Sequence, residues 1–295
     1  MKLGLGTVQF GTPYGIANPR GIPDEVEVGR ILALAEEAGL QLIDTAIGYG
    51  NAESVLGRCL PRPHGFSLVT KTPSFRESRI TVSHGTQIRD ALFRSLDRLG
   101  ESRIYGLLAH HAGDLLAPGG EYLIESMTAL VSEGHVDRIG VSVYNGAQID
   151  AVLALFTPGI VQLPASIVDR RLIDSGHIAR LRQAGVEVHV RSAFLQGALL
   201  MPSSLIPPHL EAMRTYMESL DSFAEGRNLS RLQLALGYLR EIDGVSHVIV
   251  GVTGSFEFKQ IIDSFRNLPG DRLDVPKPPL YDESLLNPSL WPQNP

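Results

Sequence analysis

A single cysteine, Cys59, stands among the 295 residues, so neither an intrachain disulfide nor a thiolate zinc cluster can be built. A reducing compartment, the cytoplasm, is the expectation. No run of about 18 apolar residues occurs, so no membrane span is expected. The opening MKLGLGTVQFG is broken by glycines before the apolar region of an export signal could form, and the chain is read as soluble and unexported. Positive charge is never clustered: 26 Lys and Arg face 32 Asp and Glu, for a net charge of -6. A nucleic-acid partner, which needs a basic stripe against its phosphates, is therefore not expected. The dinucleotide fingerprint GxGxxG is missing as well. After Gly4 and Gly6 the third glycine would fall on Gln9, and no GxxxxGK[ST] loop occurs to cradle a nucleotide triphosphate. Internal repeats and low-complexity linkers are lacking too.

What is present is ordinary globular composition, 43% hydrophobic and 20% charged, enough for one large core. Short β-branched or leucine-rich runs alternate with stretches of helical spacing, the pattern of repeated βα units on a parallel sheet. Strands are predicted over residues 2–7, 40–44, 66–71, 104–110, 136–142, 160–163, 186–191 and 247–251. Eight strands with helices between them predict an α/β chain folded as a (β/α)8 TIM barrel over residues 1–266. A helix over 25–38 places Val28, Ile31, Leu32 and Ala35 on one stripe behind Asp24 as N-cap, with Gly39 ending it. Further helices are expected over 83–99, 122–132, 147–156, 176–183, 231–241 and 256–265. Residues 192–229 are expected to hold a loop and at least one helix. The last 29 residues, 267–295, carry seven of the 19 prolines and the only tryptophan, Trp291, and are expected to lie as an extended tail on the barrel.

In parallel α/β folds reactive groups gather where strands give way to loops. Here those positions hold Asp44, Lys71, His110, Ser142, Gln162 and Arg191. Each alone could be structural: Asp44 could cap the helix holding Glu53 and Leu56, and Tyr49 could simply close a loop. His110, His111 and His189 do not stand at carboxylate spacings that build a metal site, and none is expected.

In order and spacing, LGLGTVQFG, LIDTAIGYGNAESVLG, LVTK, LLAHH and RIGVSVYN resemble the aldo-keto reductase family, over about residues 3–265. The resemblance implies oxidoreductase activity, reducing an aldehyde or ketone or oxidising the corresponding alcohol or sugar, and a catalytic tetrad at Asp44, Tyr49, Lys71 and His110. The chemistry suits these residue types, since carbonyl reduction needs a proton at oxygen as hydride reaches carbon. Tyr49 would supply the proton. Lys71 would favour its phenolate, Asp44 would pair the buried ammonium, and His110 would hold the substrate oxygen. A substrate wall is expected from Tyr14, Tyr49, His110 and His111, with Phe194 and Trp291 as further candidates.

The resemblance further implies a nicotinamide cofactor, NADP(H) ahead of NAD(H). Its contacts are expected at Gly6, Thr7, Asp44, Ser142, Gln162, Arg191, Ser192, Phe194, Gln196, Gly197, Gly251, Thr253 and Glu257. Ser142 and Gln162 match the carboxamide positions, and 192–197 the pyrophosphate loop. Three departures stand out: Val143 where many members have asparagine, Arg191 where many have an aromatic, and Glu257 where a 2′-phosphate is usually met by Lys or Arg. Arg191 would then either stack on the nicotinamide or form a salt bridge across the barrel mouth. A monomer is the default. The competing readings are a non-catalytic dinucleotide-binding sensor or partner-binding subunit, and a barrel lyase or isomerase working through a Lys71 Schiff base.

Overall fold

The computed structural model describes residues 1–292. Its strands are β1 (Lys2–Gly6), β2 (Leu42–Asp44), β3 (Ser67–Lys71), β4 (Ile104–Ala109), β5 (Val136–Ser142), β6 (Ile160–Pro164), β7 (Glu187–Arg191) and β8 (Val245–Gly251). All pair in parallel and in sequence order, and β8 returns to β1, closing an eight-stranded barrel. The larger helices are α1 (Glu25–Glu37), α2 (Ala52–Cys59), α3 (Val82–Leu99), α4 (Glu121–Ser132), α5 (Gly146–Leu155), α6 (His177–Gln183), α7 (Arg214–Glu225), α8 (Arg231–Arg240) and α9 (Ser255–Arg266). This is the (β/α)8 arrangement that the alternation predicts.

Local chemistry accounts for the element ends. The Asp24 side chain accepts the Glu27 N–H at the start of α1, a cap worth about 1 kcal/mol. Val28, Ile31, Leu32 and Ala35 are buried on the inner face of that helix, and Gly39 follows with φ 75°. That left-handed turn delays β2 to Leu42, two residues after its predicted start, because Leu40 still bonds back to Ala35. At the other end of the chain β8 begins two residues before its predicted start. Residues 192–229 hold short 3-10 turns at Ser203–Leu205 and Pro208–Met213 and then α7.

Three apolar clusters result. Leu42, Val69, Leu108, Ile160 and Ile249 fill the barrel interior. A much larger layer, including Leu5, Ile43, Leu107 and Val188, joins the strands to the helices. A third brings Met213, Met217 and Leu220 together with Leu273, Leu286 and Trp291 from the segment after α9. Residues 293–295, the end of the predicted tail, lie outside the described residues. No helix among the described residues is long and apolar enough to cross a membrane.

Candidate active site

The carboxyl ends of the strands surround a cavity of about 830 Å³. Asp44 ends β2 and Lys71 ends β3, and barrel closure brings Lys71 Nζ to 2.7 Å from Asp44 Oδ2 in a pair almost wholly removed from solvent. Lys71 also donates to the Thr45 carbonyl at 2.8 Å, and Gln162 Nε2 donates to Asp44 Oδ1 at 2.8 Å. Asp44 is thus held from both sides, by a cation and by an amide from the opposite wall. Its expected alternative, capping α2, does not occur: the N-cap there is Asn51.

Tyr49 stands in the turn between β2 and α2, with its ring centroid 4.8 Å from Lys71 Nζ and 5.7 Å from the His110 ring, edge-on. Two glycines set that turn. A Cβ on Gly11 would fall 1.9 Å from the Tyr49 carbonyl oxygen, and one on Gly50, at φ 58°, 2.3 Å from the Gly11 oxygen. Only bare backbones can pack this closely, and the contact fixes Tyr49 against the mouth of β1. Glu53, buried in α2, accepts from Thr70 and Ser95 and pairs with Arg98, tying the helix behind Tyr49 to β3 and α3.

The electrostatics of this cluster are decided by burial and by Lys71 together. Burial works against the Lys71 charge, but the Asp44 carboxylate and Tyr49 outweigh it, so the ammonium is held above its ordinary value. Burial pushes the Tyr49 phenol up, and the Lys71 charge only partly offsets this. The expected lowering by lysine is therefore present but is the smaller effect, and Tyr49 stays protonated near neutral pH. His110 is held down to about 4, first by burial and then by the Lys71 charge. It is a neutral imidazole through the physiological range. Aldehyde reduction should accordingly show no inflection from His110 between about pH 5 and 8. A kcat/KM profile with a step near 6.5 would contradict this reading of the site.

Every dinucleotide contact expected from the sequence lines this cavity, from Gly6 and Thr7 at the end of β1 to Gly251, Thr253 and Glu257 after β8. Asp44, Tyr49, His110 and Tyr14 line it as well, while Lys71 lies behind Tyr49. His111 does not. It is half-buried, N-caps the short helix Ala112–Leu116, and has Nδ1 3.1 Å from buried Asp114. The chain turns after Ala109, so His110 faces the cavity and its neighbour faces this structural carboxylate.

The departures at β5 and β7 are linked. Val143 is fully buried, whereas Ser142 and Tyr144 line the cavity. Asn145 is used up as the α5 N-cap. Among the described residues Arg191 pairs with no carboxylate: its guanidinium donates to the Val143 carbonyl at 3.1 Å and lies over the Tyr144 ring, 4.3 Å from the centroid. No salt bridge of Arg191 across the mouth occurs among the described residues. A cation on an aromatic face stands where the resemblance led one to expect a single aromatic. Tyr144 was not singled out from the sequence, although a period of two after Ser142 aims it at the same face.

After β7 the loop adopts left-handed backbone at Ser192, Leu195 and Gln196, with φ of 62°, 49° and 56°. Three such non-glycine residues so close together cost on the order of 1–3 kcal/mol each, a strain that gathers at ligand sites. The loop meets the β1 loop over the cavity, where the Ala17 N–H points to the Gln196 carbonyl at 3.5 Å. Gln9, a cavity residue the sequence reading passed over as a missing glycine, has its Oε1 buried with no partner among the described residues.

The chain is thus a closed parallel (β/α)8 barrel that gathers Asp44, Tyr49 and His110 at one deep cavity, with Lys71 behind Tyr49. The model of the aldo/keto reductase family matches residues 2–274, and the chain belongs to that family. An aldo-keto reductase of Mycobacterium marinum is 32% identical over 150 residues, 48% of this chain and 50% of that one. Another, of Mycobacterium tuberculosis, is 33% identical over 147 residues, 48% of each chain. The chain thus matches about half the length of these curated relatives. Among solved structures, an aldo-keto reductase of Bacillus halodurans in its holo form superposes with a TM-score of 0.75 at 21% identity, covering 96% of this chain and 95% of that one. A glycerol dehydrogenase of Gluconobacter oxydans gives 0.67 at 21% identity, covering 91% and 93%. At such identities these two establish the shared fold.

Proposed function

We propose that this chain is a nicotinamide-dependent oxidoreductase that reduces an aldehyde or ketone, or oxidises the corresponding alcohol or sugar, with Tyr49 as general acid and base. The observation that carries the reading is the Asp44–Lys71–Tyr49–His110 group at one side of a cavity that Ser142, Gln162, Arg191 and the 192–197 loop also line. The cavity fits the cofactor on its own terms: an unpartnered Gln9 oxygen, a strained loop over one edge, and bare backbone at Gly251, where a Cβ would meet the Gln9 side chain at 2.4 Å. The bound dinucleotide supplies or accepts hydride at the substrate carbon. The residues of the chain manage the proton. Tyr49 donates to the developing alkoxide, Lys71 stabilises the phenolate left behind, Asp44 and Gln162 keep Lys71 in place, and neutral His110 donates a hydrogen bond that orients the substrate oxygen. We propose that Tyr14, Phe194 and Trp291 form the substrate wall and that a small carbonyl compound or sugar is the substrate. All three line the same cavity. The solution state is proposed as a cytoplasmic monomer.

The family leads one to expect NADP(H) ahead of NAD(H), but the adenosine end of this cavity supports the opposite order. The Glu257 carboxylate accepts from both the backbone N–H and the hydroxyl of Thr253, at 2.9 and 3.2 Å. Glu27 accepts from the N–H and hydroxyl of Ser255 at 2.6 and 2.7 Å, and it is held down to about 2 by those bonds. Four donors, two each on Thr253 and Ser255 at the approach to α9, are thus occupied by carboxylates. A carboxylate accepts from a ribose 2′-hydroxyl and repels a 2′-phosphate. Fluorescence titration should therefore show NADH bound more tightly than NADPH. Glu257→Lys should shift the ratio toward NADPH by at least about tenfold, on the order of 1.4 kcal/mol. Tighter NADPH binding by the unaltered protein would reverse this order of preference, and binding of neither would remove the oxidoreductase reading altogether.

A further inference from the structure

The opposite, amino-terminal end of the barrel carries a second group of side chains that the chemistry above does not use. Glu187 opens β7 and His189 follows two residues later, so both point to the same side of the strand. On β8 the register slips: Val188 pairs with Val245, but His189 pairs with His247, leaving Ser246 as an extra residue. Such a bulge re-aims a side chain, and here it sets His247 beside His189, with ring centroids 5.1 Å apart. The ligand atoms of Glu187, His189 and His247 all lie within 4.8 Å of one another.

Both imidazoles converge on a single oxygen. His189 Nε2 is 2.9 Å and His247 Nδ1 3.2 Å from Glu187 Oε1, yet the His247 contact lacks hydrogen-bond geometry and that nitrogen is buried with no partner among the described residues. His189 is completely buried, and its Nδ1 is also unpartnered. The Tyr105 hydroxyl donates to the other Glu187 oxygen, and the nearest cation, Arg138, stands off at 3.8 Å. The group thus offers one carboxylate and two imidazoles whose ligand atoms converge, with more lone-pair capacity than its own hydrogen bonds satisfy.

We propose that Glu187, His189 and His247 bind a divalent transition-metal ion, Zn²⁺ by preference. Imidazole with carboxylate is a ligand set that zinc accepts, with water completing the coordination. Bonds of about 2.0–2.1 Å place tetrahedral ligands roughly 3.3 Å apart, and the two ring nitrogens already stand 2.9 and 3.2 Å from the Glu187 oxygen. The Glu187 and His247 side chains each keep 14% exposure at the barrel floor. Position sets the role. The ion would staple β7 to β8, at the face of the barrel where built features serve stability and away from the cavity at the carboxyl ends.

The test uses full-length protein dialysed against EDTA, with Zn²⁺ added in a calorimeter and Co²⁺ followed by its visible absorption. One equivalent of each should bind, the cobalt spectrum should be that of a low-coordinate nitrogen and oxygen site, and Tm should rise with zinc concentration. His247→Ala and Glu187→Gln should each weaken binding by at least the roughly 10- to 100-fold that even outer-shell changes cost, while aldehyde reduction persists. If either variant fails to fold, His247→Gln, which keeps volume and polarity, takes its place. Absence of binding at millimolar metal, or binding unchanged in both variants, overturns the site.

Discussion

Replacing Tyr49 by phenylalanine is expected to lower turnover by about 10²–10⁴-fold, the range supplied by a positioned general acid, with dinucleotide affinity unchanged. The physical basis is that the substitution removes one oxygen and little else. The phenylalanine ring keeps its edge contact with His110 and its place beside the Lys71 ammonium, so the cavity wall and the charge network behind it survive. Hydride could still be delivered, but the alkoxide would form with no proton donor other than water. Single-turnover reduction with saturating cofactor, together with a fluorescence titration, separates the two effects. A variant that turns over within about threefold of the unaltered protein would remove Tyr49 from the chemistry. Because burial holds the phenol above its ordinary value in the unliganded site, reduction should hold steady through neutral pH, and alcohol oxidation, which needs the phenolate, should rise with pH.

The second large effect is expected at Lys71. Lys71→Met leaves the Asp44 carboxylate buried with only the Gln162 amide and no cation, and breaking one side of a buried pair costs about 3–5 kcal/mol. Turnover should fall together with stability, since the phenolate of Tyr49 loses the charge that steadies it. The double variant Lys71→Met with Asp44→Asn discriminates the two roles. Neutralising the partner should recover most of the stability, read by urea unfolding, while turnover stays low. If the single variant is as stable as the unaltered protein, the pair is not the buried unit that its geometry describes. If the double variant regains turnover, the ammonium is not needed for proton transfer. The raised value of Lys71 also fixes the sign of the pH dependence: the contribution of this pair is complete below the ordinary lysine value near 10.4 and is lost as pH rises through the folded value.

The barrel could be read from the chain because each unit signals itself locally. Apolar runs of strand length and helical stripes such as Val28, Ile31, Leu32 and Ala35 recur eight times in order, and a parallel sheet of that order closes on itself. The polar residues that end those runs were legible for the same reason. Asp44, Lys71, Ser142 and Arg191 end their strands and Gln162 stands two residues before the end of β6, and strand ends of a closed barrel share one mouth.

What local signals could not show is which way a side chain turns once the strand is over, or what stands across the barrel from it. His110 and His111 are adjacent in sequence, and only the turn after Ala109, with Asp114 waiting, sends them to different places. Arg191 could have sought a carboxylate. It found Tyr144 and the Val143 carbonyl, because β5 and β7 are brought together by the strand between them. Gln162, read as a cofactor contact, also proves to be the second support of Asp44, 118 positions away. His247 was taken only as the first residue of a strand; the bulge that aims it at His189 and Glu187 is a property of pairing between two strands.

The order of elements and the closed fold were therefore legible in the sequence through periodicity, and the Asp44–Tyr49–Lys71–His110 group was implied there by the resemblance to a family. Tertiary structure alone decided the protonation states of Tyr49 and His110, the partner of Arg191, the carboxylates at the start of α9 and the histidine pair at the barrel floor. Each of these depends on burial and on distances between residues far apart in the chain, and such quantities exist only once the barrel has closed.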